Sequence, residues 1–209
     1  MYVAALVIAA LSKLQRWLLG GLLALLLLAQ IAQPYPEVAL LQHIPTLAFL
    51  IAAPWILRRW PLSTAALACI VAFLALHTLG GRYAYSNVPY DDWLQALTGT
   101  TLSELFGWTR NHYDRLVHFA FGALSVVPVA EVARRWGGMG PRGAAVAVLG
   151  WVLAISCLYE IFEWLLTIVA AGETADRYNG QQGDIWDAQK DMAFATLGAI
   201  LVLPFAGRR

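Results

Sequence analysis

Six stretches of the chain, residues 17–32, 43–57, 62–80, 116–132, 143–170 and 188–205, stay apolar for about the distance across a lipid bilayer. A hydrocarbon core of about 30 Å needs roughly 20 mostly apolar residues at about 1.5 Å each. The first two stretches are slightly short, and the fifth is long enough to tilt or protrude. Backbone groups in lipid must be satisfied within their own segment, so these runs read as helices. None shows the apolar–polar alternation of a strand. Composition then closes the soluble alternative. Of 209 residues, 60% are hydrophobic and only 13% charged, about half the charge of an ordinary soluble domain. So little charge cannot cover a water-facing surface on a chain this short. The expected fold is all-α: a polytopic integral membrane protein with about six transmembrane helices in one bundle, forming a single domain over residues 1–209.

Charge placement sets the expected orientation. Lys13 and Arg16 precede the first span, and Arg58 and Arg59 separate the second from the third. Arg134, Arg135 and Arg142 separate the fourth from the fifth, and Arg208 and Arg209 close the chain. With six crossings all of these fall on one face, joined there by a single acid, Glu131. The positive-inside rule therefore places both termini in the cytoplasm. A net charge of +1 with no basic stripe excludes a nucleic-acid partner. Cys69 and Cys157 lie in apolar runs and imply no disulfide framework.

Residues 1–11 are apolar, but basic residues follow rather than precede them, the reverse of a secretory signal. They read as a short interfacial helix or an extension of the first span. Two outer loops, 81–113 and 171–183, are substantial. The first is rich in Tyr, Trp and Pro, and its 93–106 stretch fits an amphipathic interfacial helix. Such loops either anchor at the headgroups or form a lid over a site.

The polar residues inside the spans carry the functional content. Asp114 and His118 are four apart at the start of the fourth span and share one helix face. Glu160 and Glu163 are three apart in the fifth. Asp184, Asp187 and Asp191, spaced i, i+3, i+7, form one stripe if the helix includes them all. His77 lies near the outer end of the third span. Counted from the span ends, these groups fall in one slab, the outer third of the bilayer. Asp184 also fits a helix N-cap with Asp187 as its partner, and Asp114 fits a first-turn acid. That bland reading does not reach Asp191, two turns in, or the Glu160–Glu163 pair. A carboxylate at membrane depth costs a few kcal/mol and usually faces a cavity or a partner.

Six carboxylates around one cavity cannot all stay ionised unaided, since two charges 4 Å apart repel by about 4 kcal/mol at an effective dielectric near 20. Some must take up protons, pair with Arg82, Arg115 or Lys190, or bind a cation, and those three basic residues do not obviously balance six acids. A divalent cation would, and an Asp/Glu-rich site with one or two His suits Zn, Mn or Fe, or Mg if the His stays outside the first shell. On this reading Asp114, Glu160 and Asp187 are the candidate catalytic carboxylates. His118, Glu163, Asp191 and Asp184 are the candidate metal ligands, and Arg82, Arg115 and His77 the candidate substrate-binding groups.

Three motifs carry a resemblance: residues 111–119 (Asn-His-Tyr-Asp-Arg-Leu-Val-His-Phe), 159–164 (Tyr-Glu-Ile-Phe-Glu-Trp) and 182–187 (Gln-Gly-Asp-Ile-Trp-Asp). Together with Gly81-Arg82-Tyr83-Ala84-Tyr85 they closely resemble the bacterial inner-membrane family that includes YjdF, over roughly residue 43 to the C-terminus. The resemblance implies a multi-pass protein of the bacterial inner membrane and brings no activity with it. A weaker resemblance reaches VanZ-like proteins, associated with glycopeptide-antibiotic resistance. Their Asp-x-x-x-His element is similar to Asp114…His118, their Glu-x-x-Gln to Glu160…Glu163, and their Asp-x-x-x-Asn-x-x-Gly to Asp191…Ala195…Gly198. Glu163 and Ala195 depart from that pattern.

The expected function is a metal-dependent membrane enzyme, a hydrolase or transferase acting on a lipid or lipid-linked phosphate or ester at the periplasmic headgroup level. The alternatives are a cation- or proton-linked transporter, or a non-enzymatic envelope or antibiotic-tolerance factor. Against transport, the acids do not continue into the inner half, and no inverted repeat is visible.

Overall fold

The structure is a computed structural model that describes residues 11–169 and 180–206. All regular structure among them is helical: α1 (Lys13–Leu28), α2 (Pro36–Arg59), α3 (Thr64–Arg82), α4 (Tyr90–Thr98), α5 (Leu102–Phe106), α6 (Tyr113–Arg135), α7 (Pro141–Val169) and α8 (Asp187–Ala206). Helices α2, α3, α6 and α7 are long and apolar enough to cross a membrane. Helix α1 has only 16 residues, and α8 carries Asp187, Lys190 and Asp191 in its first two turns. The expectations for residues 1–11 and for most of loop 171–183 fall outside the described residues.

Local chemistry explains where the helices depart from the apolar windows. Helix α1 starts at Lys13, ahead of its window, because Ser12 and Gln15 form a reciprocal capping box. It ends at Leu28, where Arg82 donates to the Ala29 and Ile31 carbonyls at 2.8 Å each. Helix α2 starts at Pro36, seven residues before the window, with proline in the first turn. Glu37, Gln42 and His43 dilute the apolar signal there. His43 is nonetheless buried with both ring nitrogens engaged, by the Gln30 side chain at 2.9 Å and the Thr78 carbonyl at 3.1 Å. The 93–106 stretch is two helices rather than one. Gly99 adopts φ +81°, which ends α4, and Thr101 caps α5. Asp91 joins them by accepting from the Leu102 and Ser103 amides.

Two apolar clusters hold the bundle. One joins α1, α2 and α3 through Leu22, Ala53, Leu57, Leu67, Val71 and Leu74. The other joins α6, α7 and α8 through Val126, Ala130, Val148, Val152, Ala195 and Ala199. Helix α6 is the hub, packed on α8, α3 and α7. Its contact with α8 is unusually close. A Cβ on Gly122 would stand 1.7 Å from the Ala195 carbonyl oxygen, and one on Gly198 would stand 2.1 Å from that of Phe119. Small residues let backbones approach in this way where no hydrophobic drive from water helps.

Five arginines at helix termini share one end. Arg58 and Arg59 close α2, Arg134 and Arg135 close α6, and Arg142 opens α7. Glu131 stitches that end by accepting from the Ser63 amide at 2.8 Å and from Arg135, which also donates to the Pro61 carbonyl.

Candidate functional site

The opposite end of the bundle gathers the acids, and loop hydrogen bonds fix how. Asn111 accepts from the Tyr113 amide at the start of α6, and its own side chain donates to the Val88 carbonyl. Gln182 accepts from the Asn111 amide at 2.8 Å and donates to its carbonyl at 3.0 Å. This reciprocal pair ties the loop before α6 to the loop before α8, so the two helices enter side by side.

Their first turns carry a charge cluster. Arg110 donates to Asp187 at 2.6 Å and lies 3.5 Å from Asp184. Arg115 reaches Asp184 at 2.6 Å and Asp187 at 2.9 Å, and Lys190 reaches Asp184 at 2.6 Å. Two carboxylates thus meet three cations. The Lys190 ammonium and the Arg115 guanidinium hold the Asp184 carboxyl well below the usual carboxylate range. Asp184 lies ahead of α8 rather than on it, and its other oxygen accepts from the Trp186 amide. The i, i+3, i+7 stripe is therefore reduced to Asp187 and Asp191, because the chain turns at Asp184 instead of continuing the helix.

One turn deeper the balance reverses. Asp114, His118 and Asp191 are all buried, and one ligand atom from each lies within 4.8 Å of the others. His118 Nε2 is 3.6 Å from both Asp114 Oδ1 and Glu160 Oε1, too far for a hydrogen bond. Glu160 Oε1 and Asp191 Oδ1 are buried without a hydrogen-bond partner. The nearest cation is Arg115, whose Nε lies 3.9 Å from Asp191 Oδ1. Glu163 lies one turn beyond Tyr159 on α7, and Tyr159 lays its ring against His118. An orphaned buried carboxylate oxygen is costly, so a group of them beside a histidine has the donor chemistry of a cation site.

A cavity of about 200 Å³ adjoins this cluster, lined by Asp114, His118, His77, Tyr85, Ser156 and Tyr159 among mostly apolar walls. His77 faces it from α3. The Gln42 carbonyl can only accept, so His77 Nε2 carries the proton in its 2.7 Å contact there, and Nδ1 accepts from the Tyr85 hydroxyl. Tyr85 gets there through backbone few residues adopt: φ is +47° at Ala84 and +51° at Tyr85. Its ring fills the space a Cβ on Gly80 would need, at 2.8 Å.

Of the residues singled out from sequence, the structure brings Asp114, His118, Glu160 and Asp191 together, with Glu163 adjacent and His77 across the cavity. Asp184 and Asp187 lie above them in the charge cluster, and Arg115 bridges the two groups. Arg82 stands apart, donating to the Ala29 and Ile31 carbonyls just after α1. Sequence reasoning passed over Arg110 and Tyr85. An arginine on the face that should lack basic residues was the signal for Arg110. Tyr85 sat inside a quoted motif without a role.

The profile of the family described as "Predicted membrane protein (DUF2238)" matches residues 14–209. The chain belongs to that family. It is 37% identical over 154 residues to "Inner membrane protein YjdF" of Escherichia coli (strain K12), covering 72% of this chain and 68% of the relative. No solved structure matches. The three motifs that resemble the YjdF family are thus the residues that tie α6 to α8 and build the acidic cluster. These comparisons give no support to the VanZ likeness.

Proposed function

We propose that this protein is a metal-dependent enzyme of the bacterial inner membrane, acting on a lipid or lipid-linked phosphate or ester at the outer headgroup level. The observation that carries the reading is the convergence of Asp114, His118 and Asp191 beside a cavity, with two carboxylate oxygens lacking hydrogen-bond donors. Two carboxylates and an imidazole suit Zn, Mn or Fe. Bonds of about 2.1 Å set ligand atoms roughly 3–4 Å apart, so an ion would draw these side chains in by about an ångström. It would supply a polarised water, and Glu160 is placed to take that water's proton. Arg115, whose Nε makes no hydrogen bond, is placed to meet an anionic substrate group. Asp187 serves by orienting Arg115, and His77 with Tyr85 forms the far wall.

The reading includes six crossings with both termini cytoplasmic. It is supported by the basic end formed by α2, α6 and α7, and the inner-membrane assignment by the name of the relative. Glu131, an acid of the opposite end, is occupied by Ser63 and Arg135, which favours hydrolysis or transfer over a relay through the bilayer.

The test is elemental analysis of the detergent-purified protein beside Asp114→Asn and Asp191→Asn, all shown to be monodisperse. The expected result is about one or two divalent ions per chain, lost in both variants. Metal retained in both, or absent throughout after Zn, Mn and Mg have each been supplied, overturns the proposal.

A further inference from the structure

Helices α2 and α7 border the same cavity, yet they are not among the packed helix pairs of the bundle. They converge near their outer ends, where Leu166 joins the small cluster around Val38 and Ala84. Below that contact lies a second opening of about 440 Å³. Leu41, Ile44 and Pro45 line one side, and Ile155, Leu158, Tyr159 and Phe162 the other. Ile44 and Leu158 are about half exposed. Both helices are candidate membrane spans, so this fissure faces the bilayer.

Depth distinguishes the fissure from the polar site. At 1.5 Å per residue, Leu41 to Pro45 lie roughly 7–14 Å from the outer end of α2, and Phe162 to Ile155 roughly 10–21 Å from that of α7. Asp114 and Asp191 lie within the first two turns of α6 and α8. The fissure therefore reaches acyl-chain depth while Asp114 and Asp191 sit nearer the headgroups, and Glu160, about 14 Å from the outer end of α7 and 3.6 Å from His118, lies at the depth where the two spaces meet. The two spaces share Pro45, Ile155 and Tyr159 as walls. Tyr159 joins their chemistries, with its ring against His118.

A passage with a polar end near the headgroups and an apolar end opening sideways matches one ligand class, an amphiphile already in the membrane. We infer that the α2–α7 fissure is a lateral binding site for the hydrocarbon tail of a membrane lipid whose polar end reaches Asp114 and His118. This rests on the proposed active site and narrows its substrate to molecules with a tail, excluding soluble phosphates and esters that arrive from water.

The experiment uses the full chain in nanodiscs of phosphatidylethanolamine and phosphatidylglycerol. A small fraction of the phosphatidylethanolamine carries a photoactivatable diazirine in one acyl chain. Adducts are mapped by mass spectrometry, and metal content is measured on the same sample. The expected result is a severalfold excess of adducts on the half-buried Leu41 and Ile155 and the exposed Ile44, Leu158 and Phe162 over exposed residues outside the fissure such as Leu23 and Leu153. Leu158→Trp, which fills the fissure from a wall the active-site cavity does not share, should abolish that excess and leave bound metal unchanged. Adducts spread evenly over exposed residues, or an excess that Leu158→Trp does not touch, overturn the inference. An excess at the fissure with no metal bound upholds the lipid site and overturns the metal reading alone.

Discussion

Two groups of carboxylates lie within a helical turn of each other and are treated in opposite ways. Asp184 and Asp187 sit at the mouth among Arg110, Arg115 and Lys190, with contacts of 2.6–2.9 Å that neutralise them. Asp114, Glu160 and Asp191 lie deeper with one histidine, and Arg115 is the nearest cation, at 3.9 Å. The outer group can be explained as structure, because its charges are paired and it ties the α6 entrance to α8. The inner group cannot. Burying carboxylates without hydrogen-bond donors costs more than replacing them with apolar residues, and that cost is what the proposed metal ion would offset. Charge alone does not mark a site here; unbalanced charge does.

The sharpest way to break the contrast is through the helix contact beneath both groups. Gly122→Ala puts a Cβ at 1.7 Å from the Ala195 carbonyl oxygen, so α6 and α8 must separate. We expect about 3 kcal/mol of destabilisation and complete loss of bound metal, read by thermal melting and elemental analysis. Gly150→Ala in α7, where a Cβ meets nothing within 4 Å, should be neutral or stabilising by up to about 1 kcal/mol. Equal effects of the two would show that close α6–α8 packing does not set the site.

Next in size is the outer group itself. Arg110→Gln removes one of three cations and leaves Asp187 on Arg115 alone. The expected cost is about 2–3 kcal/mol, partly restored by adding Asp187→Asn, with metal content unchanged. Metal lost from Arg110→Gln while the fold persists would merge the two groups into one site.

At the basic end, Ser63→Ala removes the α3 cap and one contact to Glu131 while the Ser63 amide still reaches Glu131. The expected cost is about 1 kcal/mol, without effect on metal.

The smallest effect is a flat line. The folded pKa of Asp184 is depressed, so its stabilisation is fully present above the unfolded value of about 3.9 and is lost as pH falls through the folded value. The difference in melting temperature between the native chain and Asp184→Asn should therefore stay constant from about pH 8 to pH 5. A difference that fades within that window would place the Asp184 carboxyl in an ordinary environment.

Much of this was legible in the order of residues. The apolar windows of α3, α6 and α7 match helices within a few residues, because lipid forces the backbone to satisfy itself locally. The Asp114–His118 spacing and the depth of Asp191 placed three of the buried polar groups on two helices. Less legible was the start of α2, whose residues 36–42 lay outside the apolar window, and His43 gained its partners Gln30 and Thr78 only in three dimensions. Arg82 looked like a substrate group among outer-face charges, and its carbonyl partners around Ala29 lie 51 to 53 residues away in the chain.

The sequence by itself determined the helical membrane class, the clustering of basic residues at one end and the concentration of acids at the other. Those properties depend on composition and on spacing within single helices. Only the tertiary structure decided which acids are paired with cations and which lie buried without a donor. It took Arg110, 77 residues from Asp187, to compensate the outer pair, and Gly122 and Gly198 to bring Asp191 beside His118. Charge balance at a buried site is a sum over neighbours in space, and no spacing along one helix fixes that sum.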